Sequence, residues 1–560
     1  MTTFPERLKA LHARTPDRVA IYLQFSGRED VPITYDQLLN GANAFASVLE
    51  REGINPGEVV VLILQHGQDL IYSFWGAILH GAIPSIMPFL TEKLSPERYR
   101  ADLSTLISVT QPAAIITYPE FAAEVRMSLK DGDSVRSVIT TEQIDPQADL
   151  KFEFSAGLYR NSKDIVLLQH SSGTTGLQKG VALSHQAVFN QLDAYGNSLS
   201  LNENDVIVSW LPLYHDMGLI AGFIMPVLSG VPLVLMSPFD WVRAPYKLIQ
   251  SISKYRGTLA WLPNFAYSFS AQKIRDRHIE GVDLSPLRAV INCSEPVRWE
   301  SHQAFYERFK NYGLKYEALQ TSYAMAENVF SVTQSQLGSI PVVEEIDRES
   351  FMVERVAKSP LHGRPFMRMM SSGRPIENVR VKILNEHGHE LPECAIGEIV
   401  IRSDCMLRGY YNRPDLSEKA FLDGWYLTGD YGYISNGEVF VSGRKKDMII
   451  VGGKNVYPQD LEMLTYEVPG VHAGRSVAFG MFNETQGTEE VVIIAEVDSV
   501  NADEQQKVAD AIRLHVTRNS AIALRHVKVV GPKWILKTSS GKTARAANKE
   551  KFLSELKADK

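Results

Sequence analysis

A glycine-rich run of hydroxyl side chains that ends in a lysine is the part of this chain best suited to bind phosphate groups. It reads Ser171-Ser-Gly-Thr-Thr-Gly-Leu-Gln-Lys-Gly180. Glycines permit close backbone approach, amides and hydroxyls can donate to phosphate oxygens, and Lys179 supplies positive charge. The candidate residues are Ser172, Gly173, Thr174, Thr175, Gly176 and Lys179. Such loops are common, so alone this one could be a simple turn, and it lacks the Gly-Lys-Ser/Thr of a Walker loop.

The elements around this loop predict how it is held. It follows the apolar run Ile165–Leu168 and precedes a helix expected from about Ser184. Upstream, Thr34 with Gln37 forms a capping box before another helix. The run Val59–Leu64 is apolar throughout, as expected for a strand that is covered on both faces. This repeated β–α order predicts an α/β fold with largely parallel sheets.

The pattern changes in the second half of the chain. From Val379 onward short strands and turns predominate, which predicts a β-rich subdomain, and a smaller α/β unit runs from about Lys446 to the end. We therefore expect a large domain over residues 1–445 and a small C-terminal domain over 446–560. No long low-complexity linker separates them, so their join is expected to be a short hinge.

Composition excludes several classes of protein. A chain of 560 residues with 44% hydrophobic and 22% charged residues is typical of a globular protein with more than one domain. A net charge of -7 argues against a nucleic-acid binder, which would need a basic surface. Cys293, Cys394 and Cys405 lack metal-ligand spacing and are expected to be reduced thiols.

One uncharged stretch, Gly218–Met236, is nearly long enough to cross a bilayer. Pro226, Gly230 and Pro232 interrupt it, so we expect a buried helix followed by a buried strand, and no transmembrane segment. The first residues lack the basic and then apolar pattern of a secretory signal, so cytoplasmic residence is expected.

The phosphate loop resembles the signature of the acyl-adenylate-forming superfamily, which includes acyl-CoA ligases, nonribosomal adenylation domains and luciferases. Gln178 departs from that signature, which usually has proline before the lysine. Further motifs follow in the family's order over nearly the whole chain. The resemblance implies an enzyme that joins a carboxylic acid to the α-phosphate of ATP and releases pyrophosphate. Positioning and cations would dominate such catalysis, because two anions must be held together.

The resemblance assigns nucleotide-binding roles to four of these motifs. Thr174, Thr175 and Lys179 would hold the β- and γ-phosphates. In Thr-Ser-Tyr-Ala-Met-Ala-Glu, residues 321–327, Tyr323 would stack on adenine, Thr321 would contact the α-phosphate and Glu327 would ligate Mg²⁺. The remaining predicted nucleotide contacts are the adenine loop Ser294, Glu295 and Pro296, and the ribose-binding Asp430 with Arg444 beside it.

Each of these residues also has an ordinary structural interpretation. A tyrosine beside a strand end is more often part of a core, and an isolated glutamate is usually a solvated surface group. Asp430 alone could be a turn residue after Gly429, and Arg444 before two lysines could be part of a solvated face. The ordered occurrence of all the motifs favours the functional interpretation.

The last motif of the resembled family corresponds to Leu536-Lys-Thr-Ser-Ser-Gly-Lys-Thr-Ala-Arg545. Its lysine, Lys542, would bridge the acyl carboxylate and ATP, and an ammonium on a flexible stem suits the neutralisation of two anions. The alternative is an exposed basic segment. Lys446 falls at the family's hinge position, about which the small domain rotates after adenylation.

Two segments resemble signatures of fatty acyl-AMP ligases, namely Trp210–Ile220 and Pro263–Tyr267. His215 in the first would orient the substrate carboxylate, although a histidine in an apolar stretch is often a core residue. No Asp or Arg in the following uncharged run marks recognition of an ammonium or a second carboxylate, which favours a fatty acid.

The acceptor of the acyl group is predicted from the gap between Glu327 and Ser372. It contains an additional segment, about residues 341–370, whose placement resembles the insertion of fatty acyl-AMP ligases, although a surface decoration is the alternative. Such enzymes transfer the acyl group to a separate acyl carrier protein instead of coenzyme A. We therefore expect a stand-alone fatty acyl-AMP ligase, with an acyl-CoA ligase and a catalytically silent nucleotide-binding regulatory protein as alternatives.

Overall fold

The fold is taken from a computed structural model that describes residues 2–90, 96–145, 155–171, 179–451, 454–472, 474–483, 488–520, 522, 524–538 and 542–558. The α-helices are α1 (Phe4–Arg14), α2 (Tyr35–Arg51), α3 (Gln68–His80), α4 (Pro96–Thr110), α5 (Ala122–Met127), α6 (His185–Ser198), α7 (Met225–Ser229), α8 (Pro238–Arg243), α9 (Tyr246–Tyr255), α10 (Asn264–Lys273), α11 (Trp299–Phe309), α12 (Pro414–Lys419), α13 (Pro458–Tyr466), α14 (Ala502–Ser520) and α15 (Arg545–Ala558).

The strands are β1 (Val19–Gln24), β2 (Val31–Thr34), β3 (Val59–Ile63), β4 (Ile83–Ile86), β5 (Ala114–Thr117), β6 (Ser137–Thr140), β7 (Ile165–Ser171), β8 (Lys179–Ser184), β9 (Ile207–Ser209), β10 (Leu233–Met236), β11 (Leu259–Leu262), β12 (Ala289–Asn292), β13 (Leu319–Ala324), β14 (Ser331–Gln334), β15 (Val343–Asp347), β16 (Phe366–Met370), β17 (Arg374–Pro375), β18 (Val379–Leu384), β19 (Gly397–Ser403), β20 (Gly409–Tyr410), β21 (Phe421–Leu422), β22 (Trp425–Ser435), β23 (Glu438–Arg444), β24 (Ile449–Val451), β25 (Lys454–Val456), β26 (Ser476–Asn483), β27 (Thr488–Glu496) and β28 (His526–Val530).

Two sheets form the large domain, and both are parallel in their central part. The first has the order β17-β14-β13-β12-β11-β9-β10-β1-β2 and the second the order β20-β8-β7-β4-β3-β5-β6. Strands from β1 through β13 in the first sheet, and from β7 through β6 in the second, pair in parallel. The remaining strands, β2, β14 and β17 in the first sheet and β8 and β20 in the second, pair in antiparallel fashion. The predicted α/β class is confirmed, with antiparallel edges that the sequence analysis did not anticipate.

Local sequence explains why these elements form. Thr34 accepts a hydrogen bond from the amide of Gln37, whose side chain accepts one from the amide of Thr34, so the predicted capping box is present at the start of α2. All residues of β3 are buried, as its apolar run predicted. Ser184 caps α6 by accepting from the amide of Ala187. Between the phosphate loop and that helix lies β8, a strand that the sequence analysis missed.

The uncharged stretch Gly218–Met236 folds inside the large domain. It contributes to a π-helical segment, Met217–Ile224, which continues into α7 and then β10. Gly230 adopts a left-handed conformation with φ of 75° and ends α7. The expected buried helix and buried strand are both present. Within the described ranges no helix has the length and apolar character needed to cross a membrane.

A third sheet, with the order β18-β19-β22-β21 and with β23 on β22, forms the predicted β-rich subdomain. The chain then passes through the turn Lys445–Asp447 into a unit with its own core. Ile449, Ile493 and Ile512 belong to one buried cluster of this unit, and Phe479 and Phe552 belong to another. The large domain and the small C-terminal α/β domain therefore have separate hydrophobic cores.

The additional segment between Glu327 and Ser372 is a folded hairpin. β15 and β16 pair in antiparallel register from Val343 opposite Met370 to Asp347 opposite Phe366. The connection carries a π-helical turn whose Phe351 is only 2% exposed. The Phe351 ring packs against Tyr433 of β22 and against Tyr457 at the start of α13. The segment is therefore integrated into the protein core at the junction of the domains.

We predict that Gly76→Ala destabilises the large domain by about 1–3 kcal/mol, as is typical of overpacked cores. A Cβ atom at this position in α3 would lie 2.6 Å from the carbonyl oxygen of Ala42 and 2.6 Å from Cβ of Phe45 in α2. The measurement is the midpoint of thermal unfolding.

The matched control for this prediction is Gly196→Ala, another helical glycine. Its new methyl group would meet only Leu201 Cβ, at 3.9 Å. Because alanine is the better helix former, this control is expected to retain or raise the unfolding midpoint. Equal midpoints for the two variants would contradict close packing of α2 on α3.

Candidate active site

The candidate site lies at the carboxyl ends of neighbouring parallel strands. β9, β11, β12 and β13 are adjacent in the first sheet. The segment after β9 carries His215, the segment after β12 carries Ser294, and β13 itself carries Thr321 and Tyr323 before Glu327. In open α/β sheets, ligands bind outside the carboxyl ends of the strands. The topology therefore brings together motifs that are far apart in the sequence.

The β-rich subdomain closes one side of this site. The hydroxyl of Tyr323 donates to Oδ2 of Asp430 at 2.7 Å. Asp430 of β22 lies opposite Arg444 of β23 in register, and its Oδ1 is 3.5 Å from Nε of that arginine. The structure therefore places three predicted nucleotide contacts side by side. Tyr323 and Arg444 are both partners of the Asp430 carboxylate, so Asp430 does more than form a turn.

Glu327 is a buried carboxylate with one well-defined partner. Glu327 is only 9% exposed, and its Oε1 accepts a hydrogen bond of 3.0 Å from the hydroxyl of Tyr410. Burial raises the pKa of Glu327 above its usual value, and the nearby Asp216 also raises it. A cation at this carboxylate would offset that penalty. Glu327 is therefore not the solvated surface group of the alternative interpretation.

The described residues fit a magnesium ion that is completed by phosphate oxygens. Glu327 offers a hard carboxylate, as Mg²⁺ prefers, but nowhere in the described part of the chain do three or more His, Cys, Asp or Glu side chains cluster as a metal-binding group. Mg²⁺ is commonly bound by one or two carboxylates together with substrate phosphates and water. The donor set agrees with that kind of site.

Thr321 presents an unsatisfied polar group at the same strand. The residue is fully buried, and its hydroxyl has no hydrogen-bond partner among the described residues. Its backbone amide donates to Oγ of Ser335 at 2.9 Å, which fixes the position of the strand. Because buried hydroxyls are normally paired, this group is available to a ligand.

The phosphate loop is described only at its end. Ser172, Gly173, Thr174, Thr175 and Gly176 lie outside the described residues. Lys179 is the first residue of β8, and its ammonium lies 4.8 Å from the centroid of the Tyr410 ring. Among the predicted residues of the phosphate loop, the structure describes Lys179 alone. Lys179 lies beside Tyr410, whose hydroxyl donates to Glu327.

His215 and Asp216 form a pair after β9. Nδ1 of His215 is 2.5 Å from Oδ1 of Asp216, which also accepts from the amide of Met217 at 2.8 Å. Burial alone would raise the pKa of the Asp216 carboxyl, but His215 and then Lys542 hold that pKa below its usual value. Lys542 belongs to the small domain, so the structure brings the predicted mobile lysine close to the predicted carboxylate-orienting histidine.

Two hydrogen bonds to Thr538 fix the main chain of Lys542. Its carbonyl accepts from the amide of Thr538 at 2.7 Å, and its amide donates to the hydroxyl of the same residue at 3.2 Å. Just beyond, Arg545 donates to Oε1 of Glu462 at 2.6 Å and to Oδ2 of Asp447 at 3.2 Å. The segment that follows Lys542 is therefore tied both to α13 and to the hinge.

The predicted adenine loop is shaped by an unusual backbone conformation. Ser294 has a φ of 72°, in the left-handed region that few non-glycine residues adopt. Glu295 follows, and its Oε2 accepts from the amide of Phe265 at 2.9 Å. Pro296 is half-buried next to it. This arrangement joins the loop to α10, which begins at the second segment that resembles fatty acyl-AMP ligases.

An apolar wall adjoins His215. Every residue of the π-helical segment Met217–Ile224 is buried. A Cβ atom at Gly218 would lie 2.2 Å from the carbonyl oxygen of Pro212, so only glycine allows this segment to approach the strand end. The rings of Trp210 and Trp241 stack at 3.6 Å on the same side of the domain. The histidine is therefore followed directly in the chain by a buried apolar segment.

At the hinge, the two domains approach closely. A Cβ atom at Gly443 would lie 2.1 Å from Nε2 of Gln459, which donates to the carbonyl of Ser442 at 2.7 Å. The neighbouring Lys446 lies in the turn Lys445–Asp447. Desolvation by the surrounding protein, and then the positive charge of Arg444, lower the pKa of Lys446 to about 8.

A charged contact also links the domains outside the hinge. Nη2 of Arg298, just after the adenine loop, donates to Oδ1 of Asp460 in α13 at 2.8 Å. Arg348 of the hairpin is also near Asp460 and Glu467. Burial lowers the pKa of its guanidinium, although the two carboxylates act in the opposite direction. The guanidinium of Arg368 lies 4.6 Å from the ring centroid of Trp299 in the large domain. The hairpin thus contacts both domains.

The sequence analysis assigned no role to several residues that organise the site. These residues are Asp216, Arg298, Tyr410, Asp460 and Arg545. Tyr426 belongs to the Asp430 motif, but its contact with Tyr410, 2.9 Å between hydroxyl oxygens, was not foreseen. Apart from Asp216, which contacts its neighbours His215 and Met217, these residues contact partners at least 16 positions away in the chain, which local spacing does not signal.

Comparisons with known proteins identify the family. Residues 8–411 match the family model described as AMP-binding enzyme, and the chain therefore belongs to the AMP-binding enzyme family. The superfamily resemblance of the motifs is confirmed at this level.

Individual relatives match along almost their whole length. The long-chain-fatty-acid–AMP ligase FadD26 of Mycobacterium marinum is 30% identical over 93% of this chain and 92% of its own. The medium-chain-fatty-acid–acyl-carrier-protein ligase JamA of Moorena producens is 29% identical over 97% of this chain and 93% of its own. A solved chain from work on fatty acyl-adenylate ligases of E. coli and L. pneumophila is 26% identical, with a TM-score of 0.90 over 100% of this chain and 99% of its own.

We predict that Asp460→Asn shifts the two domains away from the orientation seen here. It removes the charge that pairs with Arg298, and a partly exposed ion pair contributes about 1 kcal/mol, or about a five-fold change in the equilibrium. The measurement is fluorescence energy transfer between one dye on each domain.

Asp498→Asn serves as the matched control, because Asp498 pairs with His472 inside the small domain and is largely exposed. This control should leave the energy transfer unchanged. If Asp460→Asn behaved in the same way, the Arg298 contact would not stabilise the domain orientation.

Proposed function

We propose that this enzyme activates a fatty acid with ATP to give acyl-AMP and pyrophosphate, and then transfers the acyl group to the phosphopantetheine thiol of a separate acyl carrier protein. The observation that carries the proposal is the position of Lys542. Lys542 of the small domain lies near enough to Asp216 to lower the pKa of that carboxyl. Asp216 in turn pairs with His215 and raises the pKa of the nearby Glu327.

Adenylation at this site needs charge neutralisation more than acid–base chemistry. An oxygen of the fatty acid carboxylate forms a bond to the α-phosphorus, and the bond from that phosphorus to the bridging oxygen breaks, so pyrophosphate leaves. Lys542 lies between the two anions, and His215, held by Asp216, orients the carboxylate. Positioned cations in a site that excludes water stabilise developing charge strongly.

The nucleotide is held from the other side. Asp430 accepts hydrogen bonds from the ribose hydroxyls while Arg444 keeps the carboxylate in place, and Tyr323 stacks on the adenine beside Ser294, Glu295 and Pro296. The unpaired hydroxyl of Thr321 donates to the α-phosphate. Lys179, with Ser172, Gly173, Thr174, Thr175 and Gly176, contacts the β- and γ-phosphates.

Glu327 would hold Mg²⁺ together with phosphate oxygens. When bound, the ion neutralises charge on the triphosphate. The protein's own contribution is to present a buried carboxylate whose orientation is fixed by the hydroxyl of Tyr410.

A fatty acid is the substrate class that the surroundings of His215 favour. The buried segment Met217–Ile224 and the ring of Trp210 offer apolar contacts, and neither carries a charge that would recognise a second polar group. The relatives named above as fatty-acid ligases support the same class.

The hairpin over residues 341–370 supports a carrier protein as the acceptor. Phe351 packs on Tyr433 and Tyr457, and Arg348 faces the small domain, so the hairpin restrains the opening that coenzyme A would need. In the transfer step, the carrier's sulfur bonds to the acyl carbon, the bond from that carbon to AMP breaks, and the thiol proton passes to solvent. Rotation about Lys446 withdraws Lys542 before this step.

The two half-reactions are expected to separate by mutation. Lys542→Ala should lower acyl-AMP formation by about 100-fold or more, because a cation is lost from the transition state, but leave transfer from supplied acyl-AMP intact. Lys446→Pro should do the reverse, because proline fixes φ at the hinge and hinders rotation. Pyrophosphate release measures the first step, and single-turnover thioester formation measures the second.

Lys446→Ala is the control that separates the side chain from the backbone. It keeps the backbone free to rotate, so its transfer rate should exceed that of Lys446→Pro. A Lys446→Pro enzyme that transferred acyl groups at the wild-type rate would contradict the rotation step.

The acceptor itself is tested by product analysis. The enzyme is incubated with ATP, Mg²⁺ and a series of fatty acids, and either coenzyme A or a phosphopantetheinylated carrier protein is added before mass spectrometry. We expect acyl-AMP to persist with coenzyme A and acyl-carrier to form in the other reaction, since the hairpin restrains access for coenzyme A.

Other products would point elsewhere. Rapid acyl-CoA formation would make the enzyme an acyl-CoA ligase and the hairpin a structural element only. Absence of pyrophosphate release with every acid would contradict the adenylating function.

A further inference from the structure

Tyr410 contacts three groups of the site at once. It is 5% exposed and lies on β20, which pairs with β8 so that Tyr410 is opposite Val181. Its hydroxyl donates to Oε1 of Glu327 at 3.0 Å and is 2.9 Å from the hydroxyl of Tyr426, while its ring lies under the ammonium of Lys179.

The direction of this hydrogen-bond chain follows from the chemistry of its members. An ionised carboxylate can only accept hydrogen bonds, and a tyrosine hydroxyl has a single proton to donate. Tyr410 therefore donates to Glu327 and must accept from Tyr426. One oxygen of Glu327 is thereby committed to the protein, and the rotation of the carboxylate about its axis is fixed.

The main chain of Tyr410 is also anchored. Its amide donates to Oγ of Ser417 at 2.8 Å, and the next residue, Tyr411, donates its amide to the carbonyl of Gly180 at 2.8 Å. The latter bond joins the residue after Tyr410 to the residue after Lys179. The ring that supports the ammonium and the hydroxyl that holds the carboxylate thus belong to a rigid element.

We propose that Tyr410 is a positioning residue that fixes the spacing between Lys179 and Glu327, and so directs the second oxygen of Glu327 toward the metal on the triphosphate. This inference rests on the metal-binding role of Glu327 in the proposed function. It assigns to the Gly409-Tyr410 strand a task in nucleotide binding beyond the pairing of two sheet segments.

The test replaces Tyr410 by phenylalanine, which keeps the ring but removes the hydroxyl. Mn²⁺ binding to the full-length enzyme with the α,β-methylene analogue of ATP is followed by electron paramagnetic resonance. Loss of a residue that orients a metal ligand typically weakens metal affinity 10- to 100-fold, so we expect a weakening of about ten-fold. Binding of the analogue without metal, measured in EDTA, should change by less than about two-fold, because the ring under Lys179 remains.

Two further variants separate positioning from general structural damage. Tyr411→Phe makes the same chemical change one residue away, at a hydroxyl with no hydrogen bond among the described residues, and should bind Mn²⁺ like the wild type. Tyr426→Phe removes only the donor to Tyr410 and should weaken Mn²⁺ binding by about two- to three-fold.

The outcomes distinguish this inference from the proposed function. Wild-type Mn²⁺ affinity in both Tyr410→Phe and Tyr426→Phe would overturn the positioning role while leaving the proposed function standing. A wild-type enzyme that bound the analogue but no Mn²⁺ with it would overturn both. The inference would also be overturned if Tyr410→Phe weakened binding of the analogue in EDTA by the same factor as it weakened Mn²⁺ binding, since this would indicate a collapsed site.

Discussion

The architecture depends on balancing the charge of carboxylates buried around the nucleotide site. Asp216 pairs with His215 and lies near Lys542, Asp430 pairs with Arg444 and Tyr323, and Glu327 accepts from the hydroxyl of Tyr410 with Arg444 nearby. Buried charges persist in proteins only where they are paired or hydrogen-bonded. One of these partners, Lys542, belongs to the small domain, so part of the charge balance at Asp216 comes from across the domain junction. A cation bound at Glu327 would offset the cost of burying that carboxylate.

The domains meet through two kinds of contact, the charged Arg298–Asp460 pair and the apolar packing of Phe351. The Arg298–Asp460 pair can separate into water at modest cost, as a moving interface requires. The hairpin differs, because Phe351 packs on residues of both the subdomain and α13 and must leave that position if the small domain turns. The proposed rotation would therefore be restrained by apolar burial and guided by charge.

Much of the fold could be predicted from local sequence. The capping box at Thr34, the buried run of β3 and the interrupted apolar stretch before β10 all follow rules that act within about 20 residues. Motif order also predicted which residues would meet, and the structure brings His215, Glu327 and Lys542 into one site. Tyr410 and Arg298 were not foreseen, because their partners are set by sheet order and domain docking. The strand β8 was missed because its run is short and follows a turn-like sequence.

The pairing of β20 with β8 has a consequence for the order in which the enzyme can be completed during synthesis. β8 forms one side of the phosphate loop, yet its neighbour at Tyr410 emerges from the ribosome about 230 residues later. At a synthesis rate of about 5–20 residues per second, the edge of β8 remains unpaired for roughly 10 to 50 seconds before β20 is made. An unpaired edge invites pairing with other chains, so a nascent large domain is most vulnerable to aggregation in that interval. Once formed, the two-residue β20 leaves little edge for a foreign strand to extend.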